Sequence, residues 1–338
     1  MQSSASNHIL RLYRHALESI FVHLGLSDLA RVSAVCRDWS AAVGSMRPIG
    51  AYVQAGADKA LCVISNSLLM RHVAELHVID MKTNPHMNPI GNPDLAALCD
   101  IIKRSKSLAK VNVWCNGIGA DGTVDIAEAI KQSKSLLSLD LSCNKIGTDG
   151  AIAIAGAIKQ SKSLTELSLW GSSIGSIGVA AIAEALKQNE SLVTINLHGN
   201  LMYDAGALAV AEAISQNKSL TTIILGYNEI RTVGAVALAE AIAQSTSLTA
   251  VTLGGNSLMS AVGIAAIAEA IAQSKSLTSM DLTRNHIDNV GAVAIADAIK
   301  QSTSMTWVGL KFNNIGADGA VALAEAIKQS KSRASIGF

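Results

Sequence analysis

From about residue 108 onward one residue type returns at a fixed interval. Asn116, Asn144, Asn200, Asn228, Asn256, Asn285 and Asn313 stand 28 residues apart or a multiple of it, apart from one step of 29 between Asn256 and Asn285; Ser172 fills the third place. A period of this size is the mark of a repeat array, in which each unit is too small to bury its own apolar face and must stack on its neighbours. Any fold for this chain has to repeat along one direction.

Each unit reads the same way around its anchor. An apolar–x–apolar pair precedes the anchor, as in Leu139 and Leu141 or Ile223 and Leu225, and a further apolar residue such as Leu108, Leu136 or Leu164 lies eight residues before it. Period-2 patterning over so few residues predicts a short half-buried strand. The anchor side chain suits a turn, because an asparagine can hydrogen-bond the backbone that leaves the strand. Six residues past the anchor comes a glycine, from Gly122 to Gly319, with Gly263 at seven in the long repeat. It is read as the tight entry to a helix. Ala-rich segments follow, such as AIAIAGAIKQ (151–160), with apolar residues at helical spacing. QSKSL (132–136, 160–164, 273–277) ends the helix and returns the chain to the next strand. An irregular first unit is expected at 73–107, where ELHVI (75–79) precedes DLAALCDII (94–102), and regular units at 108–338. SIGF (335–338) carries the strand pattern of a ninth unit with no polar cap after it.

The pattern LxLxxN followed by a G-A-x-A-x-A-E-A-I helix resembles the leucine-rich repeat of the ribonuclease-inhibitor type. The resemblance covers about 108–338 and implies an α/β solenoid, a horseshoe with parallel strands inside and helices outside. Apolar residues make up 49% of the chain and aromatics 3%, so the core is built from Ala, Leu, Ile and Val.

A different pattern occupies 8–45. HALESIFVHL (15–24) places Leu17, Ile20, Phe21 and Leu24 on one helical face, Gly25 ends it, Ser27 is a candidate N-cap for a second helix, and CRDWSAAV forms a third. Three short helices cannot make a self-sufficient core. LESIFVHLGLSDLARVSAVCRDW (17–39) resembles the F-box, matching its pattern at Leu12, Leu17, Ile20, Phe21, Leu24, Asp28, Leu29, Val32, Ser33, Val35, Cys36, Arg37 and Trp39, and departing from it at Tyr13 and His15. The resemblance implies a small all-helical F-box that docks on a Skp-type adaptor and through it a cullin ligase. Leu12, Leu17, Ile20, Leu24 and Leu29 would make the adaptor contact, and Phe21, Val35 and Trp39 would hold the helices together. The departures bear on the strength of the adaptor contact. The same helices would also cap the first repeat. Residues 46–72 are expected as a linker or helical connection to a solenoid spanning 73–338.

Strand alternation marks a candidate binding face. Three and five residues before the anchor, side chains point to the core; one, two, four and six before it, they point to the concave surface. That surface collects Trp114, Asp140, Trp170, His198, Tyr227, Asp281, Arg284, Trp307, Lys311 and Phe312, including five of the eleven aromatics. Trp and Tyr are common interface anchors; the alternative is that large side chains simply fill the curvature. Gly226, Gly254 and Gly255 leave a bare patch, either to admit a partner's backbone or by drift.

Other function classes find little support. A net charge of +1 gives no footprint for nucleic acid or an anionic membrane. Five scattered cysteines suit a reducing compartment, and MQSSASNHILRLYRH lacks a signal core, so a cytoplasmic or nuclear eukaryotic setting is expected, or host cytosol for a bacterial effector. GIGADG (117–122) fits G-x-G-x-x-G, but the repeat itself explains its glycines. Cys115 and Cys143 occupy equivalent places without further ligands, and no nucleophile–base arrangement is visible, so neither metal, cofactor nor enzymatic activity is expected. The sequence favours a substrate receptor of a cullin-type ubiquitin ligase. A repeat scaffold whose helical head only caps the solenoid is the alternative. A GTPase activator with similar repeats stands behind both, because the acidic tail typical of that family is missing.

Overall fold

The computed structural model describes residues 49–54, 73–79, 92–256 and 260–337. Eleven parallel strands form one sheet in sequence order: β1 (Ile49–Gln54), β2 (Val73–Ile79), β3 (Lys110–Asn112), β4 (Ser138–Asp140), β5 (Glu166–Ser168), β6 (Thr194–Asn196), β7 (Thr222–Ile224), β8 (Ala250–Thr252), β9 (Ser279–Asp281), β10 (Trp307–Gly309) and β11 (Ser335–Gly337). Nine described helices alternate with them: α1 (Asn92–Arg104), α2 (Ala120–Gln132), α3 (Gly147–Gln160), α4 (Gly175–Leu186), α5 (Tyr203–Gln216), α6 (Thr232–Gln244), α7 (Ala261–Gln273), α8 (Asn289–Gln301) and α9 (Ala317–Gln329). Neighbouring strands lie about 4.8 Å apart and packed helices 8–10 Å apart, so stacking the two in step curves the solenoid with its strands inside.

The register follows the period, with Leu139 beside Leu167, Leu167 beside Ile195 and Ile195 beside Ile223. Leu141, Leu169, Leu197, Leu225, Leu253 and Leu282 form one fully buried column, and Ile126, Ile154, Ile182, Val210, Leu238, Ile267 and Ile295 meet it from the helices.

The anchor asparagine bonds more than its own turn. Asn228 Oδ1 accepts from the N–H of Asn200 (2.9 Å) and of Met202 (3.4 Å), both in the preceding repeat. Its Nδ2 donates to the carbonyls of Leu225 in its own strand (3.1 Å) and Leu197 in the preceding one (2.9 Å). Asn144, Asn200, Asn256 and Asn313 repeat the scheme, so the anchors form a buried ladder that joins the units. Besides Asn285, whose Oδ1 accepts no bond among the described residues, Ser172 departs from the scheme. Its hydroxyl donates to the Leu141 and Trp170 carbonyls but forms no bond to the N–H of Asn144 or Ile146 among the described residues.

Two expectations change. Residues 46–72 are not wholly a helical connection, because β1 pairs with β2 and extends the sheet one strand beyond the first repeat. Ile49, Tyr52 and Val53 suit a strand, and the pairing covers what would otherwise be the edge of β2. The glycine six residues after the anchor lies inside the helix, at the contact with the preceding helix. A methyl at Gly150 would stand 3.1 Å from Thr123 Cβ, one at Gly178 2.8 Å from Ala151 Cβ and one at Gly234 2.7 Å from Ala207 Cβ. Close helix approach, not backbone freedom, selects glycine there. At the other turn, Asn189 and Asn217 of the sequons NES and NKS are buried and donate to the carbonyls of Ile158 and Leu186.

Replacing Ser172 by Asn restores the missing acceptor in an existing slot. The expected gain is about 1 kcal/mol, read as a higher urea midpoint. Asn228→Ala orphans two buried N–H groups and is expected to cost at least about 2 kcal/mol in the same measurement.

Candidate protein-binding face

The turn leaving each strand imposes a left-handed backbone on the residue before the anchor. Its φ is +59° at Cys115, +54° at Cys143, +62° at Gly171, +64° at Gly199, +53° at Tyr227, +73° at Gly255, +59° at Arg284 and +58° at Phe312. Glycine adopts this conformation freely, whereas other residues pay roughly 1–2 kcal/mol. Gly171, Gly199 and Gly255 are thereby explained by the turn. Tyr227, Arg284 and Phe312 are bulky side chains held on strained backbone and exposed to solvent.

The glycines also seat aromatic rings. A methyl at Gly255 would stand 2.5 Å from the Tyr227 ring, one at Gly226 2.8 Å from His198 Nδ1, and one at Gly199 3.6 Å from Trp170. Each ring thus leans toward the next repeat and occupies the space a side chain there would need. The expected bare patch at Gly226 and Gly255 is therefore covered by His198 and Tyr227. A methyl at Gly254 would meet the Thr283 carbonyl at 3.0 Å.

Two clusters result. Trp170 meets His198 edge-on with centroids 5.7 Å apart, and His198 meets Tyr227 at 4.9 Å, giving a ladder across three repeats. Two repeats further on, Arg284 lies 4.5 Å and Lys311 5.4 Å from the Phe312 centroid, so two cations share one ring. Trp307 lies over Gly309 and Gly337, where added methyls would stand 2.5 and 3.2 Å from its ring.

Trp114 and Asp140 join neither cluster. Asp140 Oδ1 accepts from the Ser142 N–H at 2.9 Å and Asp281 Oδ1 from the Thr283 N–H at 2.9 Å, so both carboxylates also build their turns. Ser142 is buried with its hydroxyl 2.7 Å from that of Ser168. Cys143 is a free thiol, and burial raises the pKa of the Cys99 thiol in α1 to about 11. Leu12, Leu17, Ile20, Leu24 and Leu29 lie outside the described residues. The ring seats escape sequence reading because a ring and its glycine are about 28 residues apart; the signal was a glycine in the repeat after each of Trp170, His198 and Tyr227.

Burial lowers the pKa of His198. The folded state then resists a proton that the unfolded chain takes up near pH 6.5, so stability falls as pH drops through that value toward the folded pKa. Thermal melts between pH 7.5 and 5 are expected to show this loss, and His198→Gln to reduce it. Gly255→Val, which strains φ and meets the Tyr227 ring, is expected to destabilise by about 1–3 kcal/mol in denaturant titrations.

The repeat family model agrees with this architecture. The F-box domain family model matches residues 9–49, and the Leucine Rich repeat model matches 132–155, 216–239, 273–296 and 301–324. None of the curated proteins matches the chain. Matching solved structures include the leiomodin-1 Actin-Binding Site 2 (19% identity, 44% of this chain and 86% of that one, TM-score 0.39). The tropomodulin C-terminal domain of Caenorhabditis elegans matches at 18% identity over 45% and 92% of the chains, TM-score 0.39. An internalin from Listeria monocytogenes matches at 18% identity over 81% and 69%, TM-score 0.48. With an F-box match directly ahead of a repeat array whose strand face carries clustered aromatic and cationic side chains, the chain has the make-up of an F-box/leucine-rich-repeat protein, a protein-interaction module.

Proposed function

We propose that the chain is the substrate-recognition subunit of a Skp/cullin/F-box ubiquitin ligase, with the F-box docking a Skp-type adaptor and the concave repeat face holding a protein substrate. The observation that carries this reading is the F-box match at 9–49 on the same chain as the repeats. Leu12, Leu17, Ile20, Leu24 and Leu29 make the adaptor contact. Trp170, His198 and Tyr227 form one half of the substrate face, and Arg284, Trp307, Lys311 and Phe312 the other, with Trp114, Asp140 and Asp281 beside them. Strained backbone at Tyr227, Arg284 and Phe312 supports a binding role, because glycine fills the same position elsewhere at no cost. In this reading bond making belongs to other subunits, and this chain supplies proximity. It works in eukaryotic cytosol or nucleus, or in host cytosol as a bacterial effector.

Co-purification with a eukaryotic Skp-type adaptor tests the reading. Wild-type chain is expected to retain the adaptor, and Leu17→Ala/Leu29→Ala to lose it while the repeats keep their helical circular dichroism. A folded wild-type chain that fails to hold the adaptor would leave a repeat scaffold with a helical cap.

A further inference from the structure

The array is its own control, because each position occurs in eight settings. Five residues after the anchor, in the first turn of the helix, stand Asp121, Asp149 and Asp318 in the first, second and last regular repeats. An acid there answers the positive end of the helix dipole. In α4, α6, α7 and α8 the first turn has no acid. The equivalent residues are Ile177, Val233, Val262 and Val290, exposed by 68%, 58%, 62% and 71%. β-branched residues are poorer helix formers, and at this exposure they add little to the core. The helix ends are answered by other groups there, Asp204 at the Gly234 N–H of α6, Ser260 at the Gly263 N–H of α7 and Asp288 at the Gly291 N–H of α8, so what packing leaves unexplained is the exposed apolar side chain itself. In α5, Ala205 leaves a gap in the row, and Leu208, one turn on, is also exposed.

A second column changes in α5, α6 and α7, overlapping the first in α6 and α7. Elsewhere an outward acid is answered by a lysine three residues later, as in Lys131–Glu128 (3.1 Å), Lys187–Glu184 (2.7 Å) and Lys300–Asp297 (3.0 Å). In α5, α6 and α7 that lysine is replaced by Ser215, Ala243 and Ala272, and the three helices hold no Lys or Arg at all. Lys187 reaches across to Glu212 at 2.8 Å. Glu240 and Glu269 have no cation within ion-pair distance among the described residues. The apolar and acidic positions are seven residues apart on each helix, two turns along one outward face, so two rows run side by side about 10 Å apart.

We propose that this outer face across α5 to α7 docks a cationic amphipathic helix of a partner protein. Charge complementarity selects the occupant. A second copy offers no cation from its own α5–α7, and nucleic acid or an anionic membrane is repelled by the glutamates. Geometry selects its form. Packed helices lie 8–10 Å apart, and a helix crossing them presents every seventh residue at about 10.5 Å, nearly in step with the valines. Its lysines or arginines then fall over Glu240 and Glu269. This surface is separate from the concave face.

The test is a fluorescence-anisotropy titration of the full chain with a labelled helical peptide of about 21 residues, leucine at every seventh position and lysines flanking that row. Saturable binding is expected, weakened about tenfold by Val233→Asp/Val262→Asp and by added salt. Aspartate already stands at this position in three repeats, so that variant should fold. Glu240→Lys/Glu269→Lys, which leaves the apolar row intact, is expected to weaken binding as strongly, and Trp170→Ala on the concave face to leave it unchanged. Absence of saturable binding, or equal affinity in both double variants, would overturn the proposal. So would a wild-type dimer that Val233→Asp/Val262→Asp splits into monomers, since the face would then serve self-association.

Discussion

The buried asparagine ladder is the interaction on which the rest of the architecture depends. Strands of three residues form few backbone hydrogen bonds of their own, and the turn that follows them leaves N–H groups facing inward. One side chain per repeat accepts two of these and donates to carbonyls of two strands. An unpaired buried amide costs about as much as a core contact contributes, so the ladder fixes where each turn sits relative to the next. Once the turns are fixed, the leucine columns fall into line and the helices must pack at the spacing their glycines allow. The concave face is then a consequence, its columns being whatever side chains the turn directs away from the core.

Much of this was legible in the sequence. The anchor, the apolar pair before it and the Ala-rich helix define the fold through periodicity alone, because every unit solves the same burial problem. The 3.6 and 2.0 periods also separated core from concave columns correctly at Leu139, Leu141 and their equivalents. What escaped was contact across the repeat boundary. Gly178 looks like a turn residue in its own unit; the Ile174 side chain beside it and the Ala151 methyl across the boundary reveal a packing role. Gly255 looks like empty surface until the Tyr227 ring is placed on it. β1 escaped for another reason, since IGAYVQ stands outside the period and nothing in the repeat announces a partner for β2. The F-box assignment rests on residue pattern and family match, because its helices lie outside the described residues.

Repetition also makes departures informative. Where one position is filled in eight equivalent settings, the physics common to all eight can be subtracted. A tyrosine where glycine would be unstrained, or a valine exposed where it buries little, is then visible as an added demand. This works better on the strand and helix faces than in the core, where the requirement for buried volume leaves little to vary.

One more departure divides the array. The step from Asn256 to Asn285 is the long one, and Asn285 Oδ1, buried, accepts no hydrogen bond among the described residues. That step is a seam between two neighbouring repeats. Trp170, His198 and Tyr227 lie on one side of this seam, and Arg284, Lys311 and Phe312 on the other. The strands on either side stay in step, Val251 beside Met280, so the extra residue is taken up outside the sheet and both clusters stand on one continuous strand face.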